Sequence, residues 1–338
     1  MTSTSPDQKQ SLEKLWAQRY VKNLAIYDWQ DSKLPTRKCV HLAEKLLNAL
    51  RFASSQAWAN TEALLAQEIP RQRLAANLID PWQISLDSRV LFEKAAESYK
   101  LQLTPAKFSV VISPECGRIR EIYTSKDPRV LGFMSMQFHY TWQLLMETFD
   151  PSERVLIGEY FKVIDDHLYM PLQRSYNAAA GYAINSEILI AVQHLLPLCT
   201  AIAEYICAEV AGRYPNYQCH SGSLHNTMVR TSSIRDVEMF QIYLCLCALE
   251  GNISSVQQEL FPLCVMLYPP LNVKWQLVQQ LLNLLEQELC KRLTASDYKV
   301  FAHYVQALQD MFSPTVLSDA NPMWSYHSDA AQPVATTG

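Results

Sequence analysis

The sequence predicts a mainly α protein with an N-terminal helical region over 1–145, a second helical domain over 146–313 and a flexible tail over 314–338. Three observations carry this. Apolar residues recur at three- and four-residue spacing along most of the chain. Pro rather than Gly divides the segments, with 17 Pro against 8 Gly. One short window alternates apolar and small residues, and it predicts a single β-hairpin near 107–125.

Met1 to Gln10 is polar and reads as disordered. Leu12, Leu15, Trp16 and Arg19 mark one amphipathic helix. Leu42, Leu46, Leu47 and Leu50 mark a second, on one helix face. Pro35, Pro70 and Pro81 separate these segments. Ser88 to Tyr99 reads as a further helix. Phe108, Val110 and Ile112 then alternate, Pro114 to Gly117 reads as a turn, and Ile119, Ile122 and Tyr123 come after it. Arg118, Arg120, Lys126 and Arg129 decorate this hairpin, as a solvated face or as a patch for an anion or an acidic partner.

Asp150-Pro151-Ser152-Glu153 is a helix start: Asp caps, Pro suits the first turn and Glu153 completes a capping box. Val155, Leu156, Tyr160, Val163 and Ile164 continue it. Pro171, Pro197, Pro215, Pro262, Pro269 and Pro270 divide the remaining helical stretch. Ile188 to Ala211 is apolar but carries Gln193, His194, Glu204 and Glu209, and so reads as one core helix or two. Asn272 is placed to cap a long helix burying Leu277, Leu281, Leu285 and Leu289.

Composition excludes several functions. Only 18% of residues are charged against 49% apolar, where about 25% charged is usual, so much of the chain is buried or faces a partner. The net charge of −4 excludes a strong sequence-independent nucleic-acid binder. The start lacks an apolar secretory segment, and nine Cys without regular spacing read as reduced thiols in a cytosol-like compartment. No P-loop, GxSxG, HExxH, CxxC or GxGxxG occurs, so no catalytic motif is assigned.

Three weaker constellations remain. Asp165-Asp166-His167, with Glu159 upstream, offers carboxylates and an imidazole, but adjacent helical positions point about 100° apart. Asp166 and His167 are expected on a polar face. Cys219-His220 with His225 lacks a fourth ligand for a closed zinc site. Ser233 with Asp236 fits a helix-start pattern.

The stretch from Ser221 to Gln280 resembles the phycobiliproteins, the globin-like bilin carriers of cyanobacterial and red-algal light-harvesting antennae. Ser233-Ile234-Arg235-Asp236 sits in the register of that family's Cys-x-Arg-Asp motif. Met239, Phe240, Tyr243 and Leu249 continue it to Gly251-Asn252, and Tyr268 and Val273 keep register. Upstream, Asp150, Ser152, Ile157, Tyr160 and Phe161 resemble the start of the first globin helix. The resemblance covers about half the chain and implies a globin-like fold for 146–313.

Ser233 stands where the family has its chromophore-bearing Cys, and a hydroxyl is far less nucleophilic than a thiolate. Covalent attachment is therefore not expected. Arg235 and Asp236 match the residues that, in the family, pair with a propionate and accept the pyrrole N–H groups. Two readings stand: a non-covalent bilin site at Arg235 and Asp236, or a structural ion pair and cap. Haem is not expected, because Ile253 to Tyr268 has no His and Cys264 lies in an apolar row.

The resemblance implies a non-catalytic, cytoplasmic protein of a phototroph, at the cytoplasmic face of the thylakoid, that contacts phycobilisome components or another phycobiliprotein-like subunit and governs their assembly, turnover or energy state. It also implies that the region from Phe133 to Phe149 pairs subunits, as in a homodimer. The plain alternative is that this region packs on residues 11–130. Two further functional readings are a globin-like signalling protein whose N-terminal region binds an output partner, and a bilin-processing enzyme using Asp236. No membrane insertion, nucleic acid or metal is expected.

Overall fold

The computed structural model describes residues 11–25 and 36–317. The expected disorder over 1–10, the Pro35 break and the tail from 318 onward lie outside the described residues. Helix accounts for 79% of the structure and strand for 1%, which makes the class mainly α.

Helix α1 (Leu12–Ala25) buries Leu12, Trp16 and Tyr20, one residue per turn. Helix α2 (Thr36–Leu65) buries Leu42, Leu46 and Leu50 on the expected face. Leu47 sits one residue off that stripe and is 44% exposed. After the short α3 (Glu68–Arg71) comes α4 (Pro81–Lys100), which starts a full seven residues before Ser88. Its cap is Asp80, whose Oδ1 accepts from the Trp82 and Gln83 amides at 3.0 and 3.1 Å, with Pro81 in the first turn.

The hairpin expected near 107–125 is a helix instead, α5 (Pro105–Thr124). Thr104 caps it by accepting from the Lys107 amide, and Pro105 sits in the first turn. Phe108, Ile112, Cys116, Ile119 and Tyr123 are buried, at spacings of four, four, three and four. Val111 is 61% exposed. The alternation of Phe108, Val110 and Ile112 is thus a fragment of a helical stripe. Pro114, which suggested a turn, sits inside the helix, where it cannot donate to the carbonyl of Val110.

Helix α6 (Val130–Glu147) precedes α7 (Pro151–Tyr169), which has the expected capping box. Asp150 Oδ1 accepts from the Glu153 amide at 2.9 Å, and Glu153 Oε2 accepts from the Asp150 amide at 3.1 Å. Next come α8 (Leu172–Ala179), α9 (Glu187–Leu195), a 3-10 turn at Leu196–Leu198 and α10 (Cys199–Arg213). The stretch Glu187–Arg213 is long and apolar enough to cross a membrane by length and composition alone. Within the fold the turn divides it, and Ile202, Ile206 and Val210 are buried as α10 packs on later helices.

A small hairpin pairs β1 (Gln218–Cys219) with β2 (Gly222–Ser223), Cys219 opposite Gly222. Helix α11 (Thr227–Glu250) ends at Gly251, whose φ of +69° is the left-handed conformation that terminates helices. A π-helical turn (Val256–Leu260) leads into α12 (Phe261–Leu267), then α13 (Trp275–Arg292) and α14 (Ala295–Met311). Asn272 does not cap α13. Its φ is +56° and its Nδ2 donates to the Gln218 carbonyl at 2.5 Å, so its side chain ties the hairpin down instead.

One continuous apolar cluster joins these helices. α2 lies against α4 and α6, while α5 packs on α7 and α8. Phe92, Phe138 and Phe161 meet where α4, α6 and α7 converge, with centroid separations of 4.6 and 4.8 Å. Each buried ring of this kind contributes about 1.5–3 kcal/mol by removal from water. α11 touches α8, α9, α10 and α14. Phe133, Met134, Met136, Phe138, Leu145 and Phe149 are all buried within the chain. α2 and α4 pack on α6, so this segment is occupied inside the protomer.

α1 lies across α5, α8 and the turn before α10. Arg19 pairs with Glu238 on α11, and the Tyr20 hydroxyl donates to Asp166 on α7 at 2.8 Å. The Trp16 ring N–H donates to the Tyr20 oxygen at 3.1 Å.

Candidate functional site

Asn226 caps α11, accepting from the Met228 amide at 2.9 Å. Ser233, Arg235 and Asp236 therefore lie well inside the helix, and neither Ser233 nor Asp236 is its cap. The helix-start pattern at Ser233 is overridden by Asn226 upstream. The Ser233 hydroxyl donates to the Val229 carbonyl at 2.8 Å, a local bond that keeps it close to its own helix.

Arg235 is buried and turned toward α7. Its Nη1 donates to both oxygens of Asp165, at 3.0 and 3.2 Å, and its Nη2 donates to Asp236 at 3.2 Å. The guanidinium carbon lies 3.4 Å from the centre of the Tyr169 ring. Asp165 and Tyr169 are four residues apart on α7, one above the other on a single face. Burial opposes the Arg235 charge, but Asp165, Tyr169 and Asp236 outweigh it and hold the group firmly protonated. Burial raises the Asp236 carboxyl, against the pull of Arg235.

The neighbouring Asp166 and His167 point elsewhere. Both are buried, which corrects their expected place on a polar face. Asp166 accepts from Tyr20 and pairs with Lys162. Burial alone would raise its pKa, yet Lys162 and Arg19 leave it lowered. His167 Nδ1 bonds the Val163 carbonyl at 2.8 Å, and its Nε2 meets the Ser109 hydroxyl at 3.4 Å. Burial lowers its pKa to about 4, so the ring is neutral. The three consecutive side chains thus face three partners and form no joint acid/base or metal centre. No group of three or more potential metal ligands occurs among the described residues.

Arg235 and Asp236 share a cavity of about 80 Å³ with His139, Tyr169, His220 and Ser233. The His139 ring is also held neutral, lowered by burial to about 4, and it meets Gln143 at 2.9 Å. Sites for drug-sized ligands measure about 300–1,000 Å³, and the enclosed space here is smaller than that. Cys219, at the rim, is pushed up to about 11 by burial and is not thiolate at neutral pH. Cys264 is buried and its thiol is likewise raised.

The structure adds pairings that the sequence did not anticipate. Asp165 and Tyr169 complete the Arg235 site. A second buried network joins Arg120 to Glu259 and to the Tyr243 hydroxyl, the last at 2.9 Å. The signal for both networks is a charged residue falling on a buried helical stripe. No family model, no curated protein and no solved structure matches the chain.

Proposed function

We propose that this chain is a non-catalytic, phycobilisome-associated or phycobilisome-regulating protein, acting through protein–protein contacts of a globin-like C-terminal domain. Ser233 carries the reading. It lies beside Arg235-Asp236 on α11, in the register where the resembling family keeps its attachment thiol, and its hydroxyl is engaged by Val229. Two further features support a contact role over a pigment-carrying one. Arg235 is neutralised from within by Asp165, and the adjoining cavity is about 80 Å³. The low charge of the chain, 18%, agrees with extensive burial or contact with other proteins.

The test is co-purification. Tagged protein expressed in a phycobilisome-containing phototroph is expected in the intact antenna fraction and depleted when phycobilisomes are dissociated. Its absence from that fraction under all light and nutrient regimes refutes the role. An absorption spectrum of the purified protein accompanies the experiment. A colourless protein agrees with a contact role, and a visible band lost on acid-urea denaturation replaces it with non-covalent bilin binding.

A further inference from the structure

The four cations grouped by the sequence near residues 118–129 separate in space. Lys126 is exposed. Arg129 is bound to both Asp127 oxygens, at 2.9 and 2.6 Å, and to the Gln72 carbonyl. Arg118 and Arg120 instead line a cavity of about 570 Å³ where α5 meets α8. Arg174 and Asn177 enter it from α8, and Glu259 enters from the π-helical turn. This volume lies inside the roughly 300–1,000 Å³ range of small-molecule sites. π-Helical turns of this kind recur at functional positions.

The walls are stiff. Pro114 and Pro171 contribute to them, and Gly117 lies so close to Gln173 that an added Cβ would sit 2.7 Å from the Gln173 Cβ. Arg120 forms the floor, already balanced by Glu259, the Tyr243 hydroxyl and the Leu168 carbonyl. Arg118 and Arg174 differ from it. Both are about half exposed, and each is oriented by a carboxylate outside the lining. Glu115 accepts from Arg118 at 2.7 Å, with Asp87 at 4.0 Å, and Glu250 accepts twice from Arg174 at 2.6 and 2.7 Å. Asn177 uses its Oδ1 to accept from Gln173 at 2.9 Å, which leaves its amide donors for another acceptor. Three Arg and two Glu, Glu121 and Glu259, stand in the lining itself, with Glu259 3.4 Å from Arg174, while Glu115, Asp87 and Glu250 lie behind Arg118 and Arg174, outside the wall.

We propose that this cavity binds a small organic anion through a carboxylate or phosphate group held by Arg118 and Arg174. Planar guanidiniums pre-set by neighbouring carboxylates lose little freedom on gripping an anion, and the fork geometry matches both oxyanion types. The proposal is independent of any antenna role.

Isothermal titration calorimetry of the full chain with citrate, inorganic phosphate and glycerol tests it. Saturable binding of either anion is expected, with none for glycerol. Citrate alone identifies a carboxylate ligand and phosphate alone a phosphoryl ligand. The double variant Arg118→Gln/Arg174→Gln is expected to bind about 100-fold more weakly, near tenfold for each lost charged donor. Asn177→Glu, an exposed change that adds a negative charge at the cavity, keeps the test open if the double variant fails to fold, and it too should weaken binding. Lys126→Gln should bind as the parent does. No saturable heat with either anion, or equal binding by Asn177→Glu and the parent, overturns the proposal.

Discussion

Replacing Arg235 by Met isolates the energetics of the α7–α11 contact. The Arg235 and Asp165 side chains are 7% and 4% exposed, so water cannot solvate whichever partner is left behind. Removing one member of such a pair costs about 3–5 kcal/mol, mostly from the stranded charge. Loss of the guanidinium from the Tyr169 face adds about 1–2 kcal/mol. Asp165→Asn should cost less, about 2–3 kcal/mol, because Asp236 still accepts from Arg235. The double variant removes the Arg235–Asp165 pair together and leaves only Asp236 without its cation, so its cost should fall below the sum of the singles by about 2 kcal/mol or more. Urea unfolding followed by circular dichroism measures all four corners of this cycle. A cost below about 1 kcal/mol for Arg235→Met, or simple additivity, would show that the pair is hydrated and refute the reasoning.

Acid should destabilise the fold through the buried His167 and the partly buried His139. His139 and His167 are both lowered by burial to about 4 from 6.5, so the unfolded chain takes up protons first as pH falls. Their contribution is complete above pH 6.5 and is lost from there down to about 4, roughly 3 kcal/mol for each ring. Urea midpoints measured across that window should fall, and the slope should flatten in His167→Gln. Gly251→Ala should cost about 1 kcal/mol through its positive φ alone, since an added Cβ meets nothing within 4 Å, and Gly251→Asn should cost less. Gly117→Ala should cost about 1–3 kcal/mol because the new Cβ meets the Gln173 stem, and an unchanged urea midpoint would mean that α8 yields freely.

The sequence is most legible where a local rule is sufficient. The Asp150–Glu153 box and the Leu42–Leu46–Leu50 stripe both rest on residues within a turn or two of one another. It misleads where a short window satisfies two periods. Phe108, Val110 and Ile112 fit a strand over five residues, and only the stripe from Phe108 to Tyr123 identifies the helix. At the candidate site, an Arg235 ion pair is anticipated by the sequence, but its partner is not. Asp165 lies 70 residues away, and no spacing rule reaches that far. Asp166 and His167 are expected on a polar face because buried charge is costly. The counter-groups that offset that cost, Tyr20 and Lys162 for Asp166 and Ser109 for His167, come partly from helices that only the fold brings near.

The seating of α1 also bears on how the chain is made. Arg19 leaves the ribosome well before Glu238, its partner at a sequence separation of 219. Closing so long a loop adds little free energy beyond a shorter one but comes late, because both ends must exist first. By then α5, α7 and α8 have already emerged, so α1 can seat on them and Tyr20 can meet Asp166 before the Arg19–Glu238 pair closes. The helix synthesised first therefore docks in two stages, its Trp16 and Tyr20 face against the earlier helices and Arg19 against α11 last.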